Sequence, residues 1–164
     1  MIECALFGVA KQKFEWNGEE FERAETVYKA GKSTVLLIEE RISDVKNTHL
    51  VCRELLDRNR QRRSVIFKVH RSRIPEDVSS EDLLNAIGYS PVSKNIVSGI
   101  RYARPRYTVE LTQSLSAKES INEYLVKAFV ESENIPEGEA CLDEAYSDIA
   151  DYAQITKPPL VWFE

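Results

Sequence analysis

The sequence predicts an α/β or interleaved α+β fold, with a mixed sheet of about four to five strands flanked by helices. The aliphatic run at 33–39 and the alternating segment at 64–70 are typical of buried strands. Ser116 and Glu119 match a capping box, which marks the start of a helix. Because strand and helix patterns alternate throughout the 164 residues, we expect one globular domain over residues 1–164.

The N-terminal part of the chain is predicted to form a strand, a helix and a second strand. Residues 2–9 are apolar and β-compatible, so they form the opening strand. Asn17-Gly18 suits a hairpin turn, but the apolar residues of 19–30 also fall on one face of a helix that would end at Gly31. We favour the helix. The strand at 33–39 follows it.

The middle of the chain continues the alternation. A helix is predicted over 47–60, because its apolar residues recur with helical spacing. The alternating strand at 64–70 comes next. A short helix is expected over about 80–88, since serines precede it and a glycine ends it.

The C-terminal part is predicted to be mainly helical. Residues 100–113 look extended, with Pro105 restricting them to an edge strand or to a strand entered after a loop. One helix is predicted from the capping box through Phe129, and a last helix over about 137–153. The apolar residues 160–163 are expected to add a strand or to pack as an anchor.

Charge is unevenly distributed along the chain. Residues 1–52 carry 7 basic and 9 acidic side chains, residues 53–106 carry 12 and 6, and residues 107–164 carry 3 and 12. The middle block therefore has a formal charge of +6 and the last block −9, within a total of −5. This separation of charge is the strongest functional signal in the sequence.

The basic block suggests contact with a polyanion. Arginines neutralise phosphates, and neighbouring tyrosines can stack on exposed bases. The candidate nucleic-acid-binding residues are Arg58, Arg60, Arg62, Arg63, Arg71, Arg73, Arg101, Tyr102, Arg104, Arg106 and Tyr107. The alternative is that these arginines are solvated or are paired inside the fold, since arginine is also favoured near helix ends and beside acids.

The acidic block also has two interpretations. It can be a solvated helix face, or it can dock a basic protein partner. The candidate partner-binding residues are Glu137, Glu139, Asp143 and Glu144.

Motifs for catalysis or metal binding are weak. A metal-dependent nuclease could use Glu39, Glu40, Asp44 and Lys68, but acids at a strand end are more often simply solvated. His70 and Arg73 match an HxxR spacing, which is too short to identify a site. With two histidines, three dispersed cysteines and no Gly-rich phosphate loop, we assign no catalytic residue, metal site or cofactor.

The leading hypothesis is a small non-enzymatic, nucleic-acid-associated binding protein whose acidic C-terminal face tunes the interaction. The alternatives are a protein–protein adaptor or inhibitor that engages a basic partner, and the metal-dependent nuclease. No apolar run approaches the roughly 18 residues of a membrane span, and the N-terminus lacks signal-peptide features, so we expect a cytoplasmic protein without membrane contact.

Overall fold

A computed structural model describes residues 1–114 and 123–163 of the chain. Most of these residues lie in β-strands. The strands are β1 (Ile2–Ala10), β2 (Glu19–Ala30), β3 (Ser33–Ile42), β4 (Val45–Leu55), β5 (Val65–Arg73), β6 (Ser90–Ala103), β7 (Thr108–Ser114), β8 (Tyr124–Ser132) and β9 (Gln154–Ile155). The helices are α1 (Ser80–Ala86), α2 (Ile135–Ile149) and a 3₁₀ helix (Leu160–Phe163).

Eight of the strands close into an antiparallel barrel. Their order is β5-β4-β3-β2-β6-β7-β8-β1, and β1 pairs with β5 to complete the circle. Only the first residues of β1 pair with β5; for example, Ala5 lies opposite Val65. Further along the same edge of β1, β9 takes over and pairs Gly8 with Ile155. A closed barrel leaves few unpaired backbone groups at sheet edges.

The predicted fold class is therefore wrong. The protein is a closed eight-stranded antiparallel barrel with two short helices, and not a mixed sheet of four to five strands flanked by helices. The prediction of helices over 19–30 and 47–60 caused much of this error, because these segments form β2 and β4. Their inward faces mix apolar and charged residues, so the alternation that identifies a half-buried strand is obscured.

Several element predictions agree with the structure. The strands at 2–9, 33–39 and 64–70 correspond to β1, β3 and β5. The short helix α1 begins after Ser79, whose side chain accepts a hydrogen bond from the backbone N–H of Asp82. The last helix corresponds to α2, and the extended segment at 100–113 is divided between β6 and β7.

The predicted helix after the capping box is contradicted where it can be tested. Ser116 and Glu119 lie outside the described residues. The apolar residues assigned to the helix, including Leu125 and Phe129, belong to strand β8. Residues four positions apart lie on the same face of a helix and also on the same face of a strand. The sequence pattern was therefore ambiguous.

The main hydrophobic core lies outside the barrel, between its wall and α2. Outward-facing side chains of β1, β6, β7 and β8 pack there against Leu142, Ala145 and Ile149 of the helix. Gly138 approaches Cys4 so closely that a Cβ atom on the glycine would lie 2.6 Å from the cysteine Sγ. Any larger residue at this position would have to displace the Cys4 side chain or lift the helix from the barrel wall.

The interior of the barrel, called the lumen below, has two chemically different halves. The apolar half is the buried cluster around the ends of β4 and β5 and consists of Ile38, Val51, Val65, Phe67 and Val69. The charged half is lined by Arg23, Glu40, Arg71, Arg101, Glu110, Lys127 and Glu131, with Glu3 buried beside them.

The C-terminal segment covers the apolar half. Phe163 packs on Phe7 and Phe67, with ring centroids 5.6 and 5.1 Å away. Lys157 donates hydrogen bonds to the carbonyl oxygens of Asn59 and Arg62, at 2.8 and 2.5 Å. These contacts tie the segment to the β4–β5 loop, so residues 160–163 act as the anchor that was one of the two outcomes expected for them.

Neither described helix combines the length and apolar character needed to cross a bilayer. A cytoplasmic location stays a prediction. Of the three cysteines, Cys4 and Cys141 are buried and Cys52 is exposed.

Candidate functional site

The charged half of the lumen contains a cavity of about 690 Å³. The turn between β6 and β7 contributes Arg104, Pro105 and Arg106 to its lining. A volume in this range is typical of small-molecule sites, and clefts with converging polar groups are the usual place to look for function. We therefore take this cavity as the candidate site.

Arg101 is at the centre of one cluster of ion pairs in the lumen. Its guanidinium binds Glu40 through two hydrogen bonds of 2.6 and 2.7 Å. The same guanidinium donates to Glu110 at 2.8 Å, and Arg23 donates to the other oxygen of Glu110 at 3.0 Å. Arg23 also binds Glu25 at 2.7 Å. Fork-shaped contacts of this kind fix the positions of both arginines.

Glu3 is at the centre of a second cluster. Its fully buried carboxylate lies 2.8 Å from Lys127 Nζ and 3.3 Å from Arg71 Nη2. Arg53 is more distant, at 3.9 Å. Arg71 also binds Glu131 at 2.7 Å. Adjacent strands place Lys127 directly opposite Glu110, so the two clusters are neighbours.

The pKa values reflect this mutual compensation. Burial raises the pKa of Glu3, but Lys127, Arg53 and Arg71 outweigh that effect and the net shift is downward. Burial likewise raises the pKa of Glu110, and Arg23 with Arg101 again lower it below the usual value. Both carboxylates are therefore ionised at neutral pH.

The pKa values of the two central cations shift in opposite directions. Burial lowers the pKa of Arg101, but Glu40 and Glu110 more than reverse this, so its pKa is raised. Burial lowers the pKa of Lys127 despite the opposing charge of Glu3. His49, which also lines the cavity, has a lowered pKa because of burial and the nearby Arg71, and it is neutral at pH 7.

Positive charge exceeds negative charge in this cavity. Among the described residues, seven cations line it: Arg23, Arg53, Arg71, Arg101, Arg104, Arg106 and Lys127. Five carboxylates oppose them: Glu25, Glu40, Glu110 and Glu131 in the lining, and Glu3 beneath it. The cavity thus has a formal excess of two positive charges inside a protein whose net charge is −5.

The arginines predicted to bind nucleic acid do not form one surface. Arg71 and Arg101 lie in the lumen, whereas Arg73 lies on the outside, 3.4 Å from the side-chain oxygen of Asn47. The β4–β5 loop carries four more: Arg58, Arg60, Arg62 and Arg63. In that loop, Arg62 binds Asp57 at 2.6 Å, and Arg63 lies 3.7 Å from the ring centroid of Tyr146.

The segment at 101–107 is similarly divided. Tyr102 is buried in the outer core, where its hydroxyl donates to the carbonyl of Phe14. Tyr107 donates to Asp148 of α2. Arg104 stacks on Trp16, at 4.6 Å from the ring centroid. Stacking on exposed bases is therefore not available to these two tyrosines as they stand.

The acidic residues of α2 are used largely within the fold. Glu139 accepts a hydrogen bond from Ser64 and lies 3.5 Å from Arg62. Glu144 binds Arg106 at 3.1 Å. The backbone N–H of Glu137 donates to the side-chain oxygen of Asn134, and the carboxylate of Glu137 accepts a hydrogen bond from the Asn134 amide. Asp143 is exposed. Three of the four acids therefore have partners within the fold, and docking of a basic protein by this face stays a prediction.

The four residues of the nuclease hypothesis do not converge. Glu40 points into the lumen and Glu39 to the outside, because consecutive strand residues face opposite ways. Lys68 is exposed on β5, and Asp44 is in the β3–β4 turn. In the described part of the chain, no three side chains of the types that bind metals come together. The residues therefore do not fit a metal-dependent nuclease.

Sequence reasoning missed most of the lumen residues, including Glu3, Arg23, Glu110 and Lys127. A usable signal was present in β8. Its outward residues Val126, Ala128 and Val130 are all apolar, whereas Lys127 and Glu131 alternate with Leu125 and Phe129 on the other face. A strand with one fully apolar face and one mixed face is typical of a strand whose second face lines a partly polar space.

No family model and no curated protein sequence matches this chain. Solved structures do match. A chain of the Schizosaccharomyces pombe Mediator head module is 15% identical with a TM-score of 0.76, and the match covers 94% of this chain and 98% of that chain. The PH1819 protein from Pyrococcus horikoshii is 13% identical with a TM-score of 0.71, covering 97% and 96%.

A proposed adenylate cyclase from Vibrio parahaemolyticus also matches. It is 8% identical, with a TM-score of 0.58 and coverage of 93% and 94%. The likeness is one of fold. At these identities the comparisons assign this chain to the same barrel architecture and carry no residue roles.

The hypothesis of a non-enzymatic nucleic-acid-binding protein is wrong. The arginines of the supposed patch are dispersed between the lumen, a loop and the outer wall, and the two tyrosines are buried in the fold. Part of the error arose because Arg58, Arg60, Arg62 and Arg63 were placed at the end of the predicted helix over 47–60, whereas they lie in the loop between β4 and β5.

Proposed function

We propose that the protein is an enzyme that binds a phosphate-rich anion, such as a nucleoside triphosphate or an inorganic polyphosphate, in the charged half of the lumen. The observation that carries the proposal is the excess of cations in the luminal cavity of an otherwise acidic protein. The adenylate cyclase described for the Vibrio parahaemolyticus protein, an activity on a nucleotide, supports the same class of ligand.

The ion pairs determine how such a ligand would be held. Glu40 and Glu110 keep the guanidinium of Arg101 in one orientation before any ligand arrives. A phosphate bound beside Arg104 and Arg106 would accept hydrogen bonds from cations whose positions are already fixed. Binding would therefore cost little side-chain conformational entropy. Preorganised cations also stabilise the negative charge that develops during reactions at phosphorus.

The side chains that line the cavity do not form a metal site. Since no three metal-ligating side chains converge among the described residues, the proposal assigns no reaction step to a metal. The residues credited here act by binding and orienting the anion. Activity assays should nevertheless be performed with and without divalent cations.

The decisive experiment is calorimetric titration with tripolyphosphate and with ATP at about 50 mM salt, where electrostatic binding is strongest. We expect saturable binding that Arg101→Met and Lys127→Met each weaken at least about tenfold, because a hydrogen bond to a charged group is worth about 1.5–3 kcal/mol. Release of phosphate or pyrophosphate from the bound compound would then test for catalysis.

Arg60→Met is the matched control. Arg60 is an exposed arginine of the β4–β5 loop, and the substitution removes the same charge as Arg101→Met does. It should leave binding nearly unchanged. The proposal is wrong if the folded wild-type protein binds neither anion, or if all three variants bind them equally.

A second candidate function is that of a subunit in a larger protein assembly. Two observations favour it: the chain of the Mediator head module superimposes with a TM-score of 0.76, and most lumen cations already have carboxylate partners. In that case the ion pairs would serve the rigidity of the barrel. A well-folded protein that ignores both anions would support this alternative.

A further inference from the structure

A groove lies on the outer face of the barrel, away from the lumen. It has a volume of about 900 Å³ and runs over β2, β3 and β4. One wall is the segment from Arg73 to Glu81, which leads into α1, and the other is the start of β6 at Pro91 to Lys94. Its floor and walls are separate from the charged cavity described above.

Two hydroxyl groups form part of the floor. Tyr28 is 5% exposed and Thr26 is 7% exposed, and both line the groove. In the described part of the chain neither side chain has a hydrogen-bond partner. Neither hydroxyl oxygen is fully buried, so both are accessible from the groove and can form a hydrogen bond with a ligand there.

The surroundings of Tyr28 are negative. Burial raises its pKa, and Glu81 and Glu39 raise it further, with no cation acting in the opposite direction. Lys46 lies 3.1 Å from Glu39 and partly neutralises it. The other charged groups that line the groove are Asp44, Glu76, Arg73 and Lys94.

The walls of the groove are partly apolar. Val78 and Val92 are 40% and 60% exposed on opposite sides, and Pro75 and Pro91 lie beside them. Apolar walls can cover methylene groups, while hydroxyl oxygens and carboxylates can accept hydrogen bonds from a cation. This combination matches a ligand with an alkyl chain that ends in a positive charge.

We propose that this groove binds an alkylammonium group, with the hydroxyl of Tyr28 and the carboxylate of Glu81 receiving the ammonium and Val78 and Val92 contacting the chain. The ammonium can belong to a free polyamine or to a lysine side chain of a polypeptide. This site is independent of the function proposed for the lumen, because no residue lines both cavities.

The test uses two probes, spermidine and an acetylated, amidated peptide that contains one lysine. We expect at least one of them to bind the full-length protein with saturation, and the better probe identifies the source of the ammonium. Tyr28→Phe and Glu81→Gln should each weaken that binding about tenfold or more, since each removes a hydrogen bond to a charged group. Titration followed by NMR or calorimetry measures both effects.

Matched controls separate this site from general attraction to an acidic protein. Glu54→Gln removes the same charge as Glu81→Gln, and Tyr152→Phe removes a hydroxyl from an exposed tyrosine outside the groove. Both should bind like the wild type. Tyr28→Phe removes a hydroxyl without a partner, so the barrel should keep its melting temperature.

The proposal is overturned if neither probe saturates, or if Glu54→Gln weakens binding as much as Glu81→Gln does. Arg101→Met distinguishes the two proposals of function, because it should impair anion binding in the lumen and leave amine binding unchanged. Loss of anion binding alone therefore does not contradict the proposed amine binding in the groove.

Discussion

The two halves of the lumen bury different kinds of side chain. In the apolar half, Val51 and Phe67 are nearly inaccessible and Phe163 from the C-terminus packs over them. In the charged half, Glu3 is equally inaccessible, but cations surround it. Burial of apolar side chains stabilises a fold directly, whereas buried ion pairs roughly offset their own desolvation. The comparison indicates that the apolar half supplies stability and that the charged half is retained for a ligand or for rigidity.

The largest effect should come from the apolar half. Phe67→Ala removes a buried ring that contacts Phe163, and we expect the free energy of unfolding to fall by about 3–5 kcal/mol. Urea denaturation measures this change. Leu125→Ala, at a residue of β8 that is 63% exposed, should change stability by less than about 0.5 kcal/mol. Equal losses in the two variants would contradict the view that the apolar half carries the stability.

Breaking the charged half should have a smaller but clear effect. Glu3→Gln leaves Lys127 and Arg71 without their buried counter-charge, which we expect to cost about 3 kcal/mol in unfolding free energy. The exposed Glu54→Gln is the control and should be nearly neutral. If Glu3→Gln left the free energy of unfolding unchanged, the cations of this cluster would need no partner.

The C-terminal anchor allows a comparison of neighbouring aromatic residues. Phe163→Ala should lower the unfolding free energy by about 1–3 kcal/mol, because its ring lies on Phe7 and Phe67. Trp162 is 74% exposed, so Trp162→Ala should have almost no effect. If the tryptophan matters more, the segment is anchored differently from the contacts described here.

Acid should weaken the ion pairs of the charged half. The pKa values of Glu3 and Glu110 lie below the ordinary 4.5 in the folded state, so the unfolded chain takes up protons first as the pH falls. Stability from these groups is complete above about pH 4.5 and is lost as the pH falls through their folded pKa values. Glu3→Gln should flatten this dependence in urea titrations at pH 7 to 3, and an unchanged slope would contradict the assignment.

Sequence reasoning was reliable where the apolar residues of an element fit one period or form a continuous run. The strands β1, β3 and β5 and the helix α2 were predicted for this reason. It failed for β2, β4 and β8, because their apolar residues also fit the spacing of a helical stripe. Arg23, Arg53 and Lys127 occupy inward positions that a simple sheet would fill with apolar side chains.

The candidate site was predictable only in part. The excess of arginine over residues 53–106 correctly marked a basic region, and Arg71 and Arg101 do belong to the cavity. Glu3 and Lys127 come from distant strands and became partners only through the pairing of β1 with β8. Linear charge blocks cannot show such partners, because ion pairing depends on spatial proximity.

The sequence by itself determined the character of local segments: which faces are apolar, where α1 and α2 begin, and that positive and negative charge lie in separate blocks. Only the tertiary structure decided that the strands close on themselves and that opposite charges meet in the lumen. The physical reason is that strand pairing and barrel closure depend on contacts between residues far apart in the chain, whereas sequence patterns report only on near neighbours.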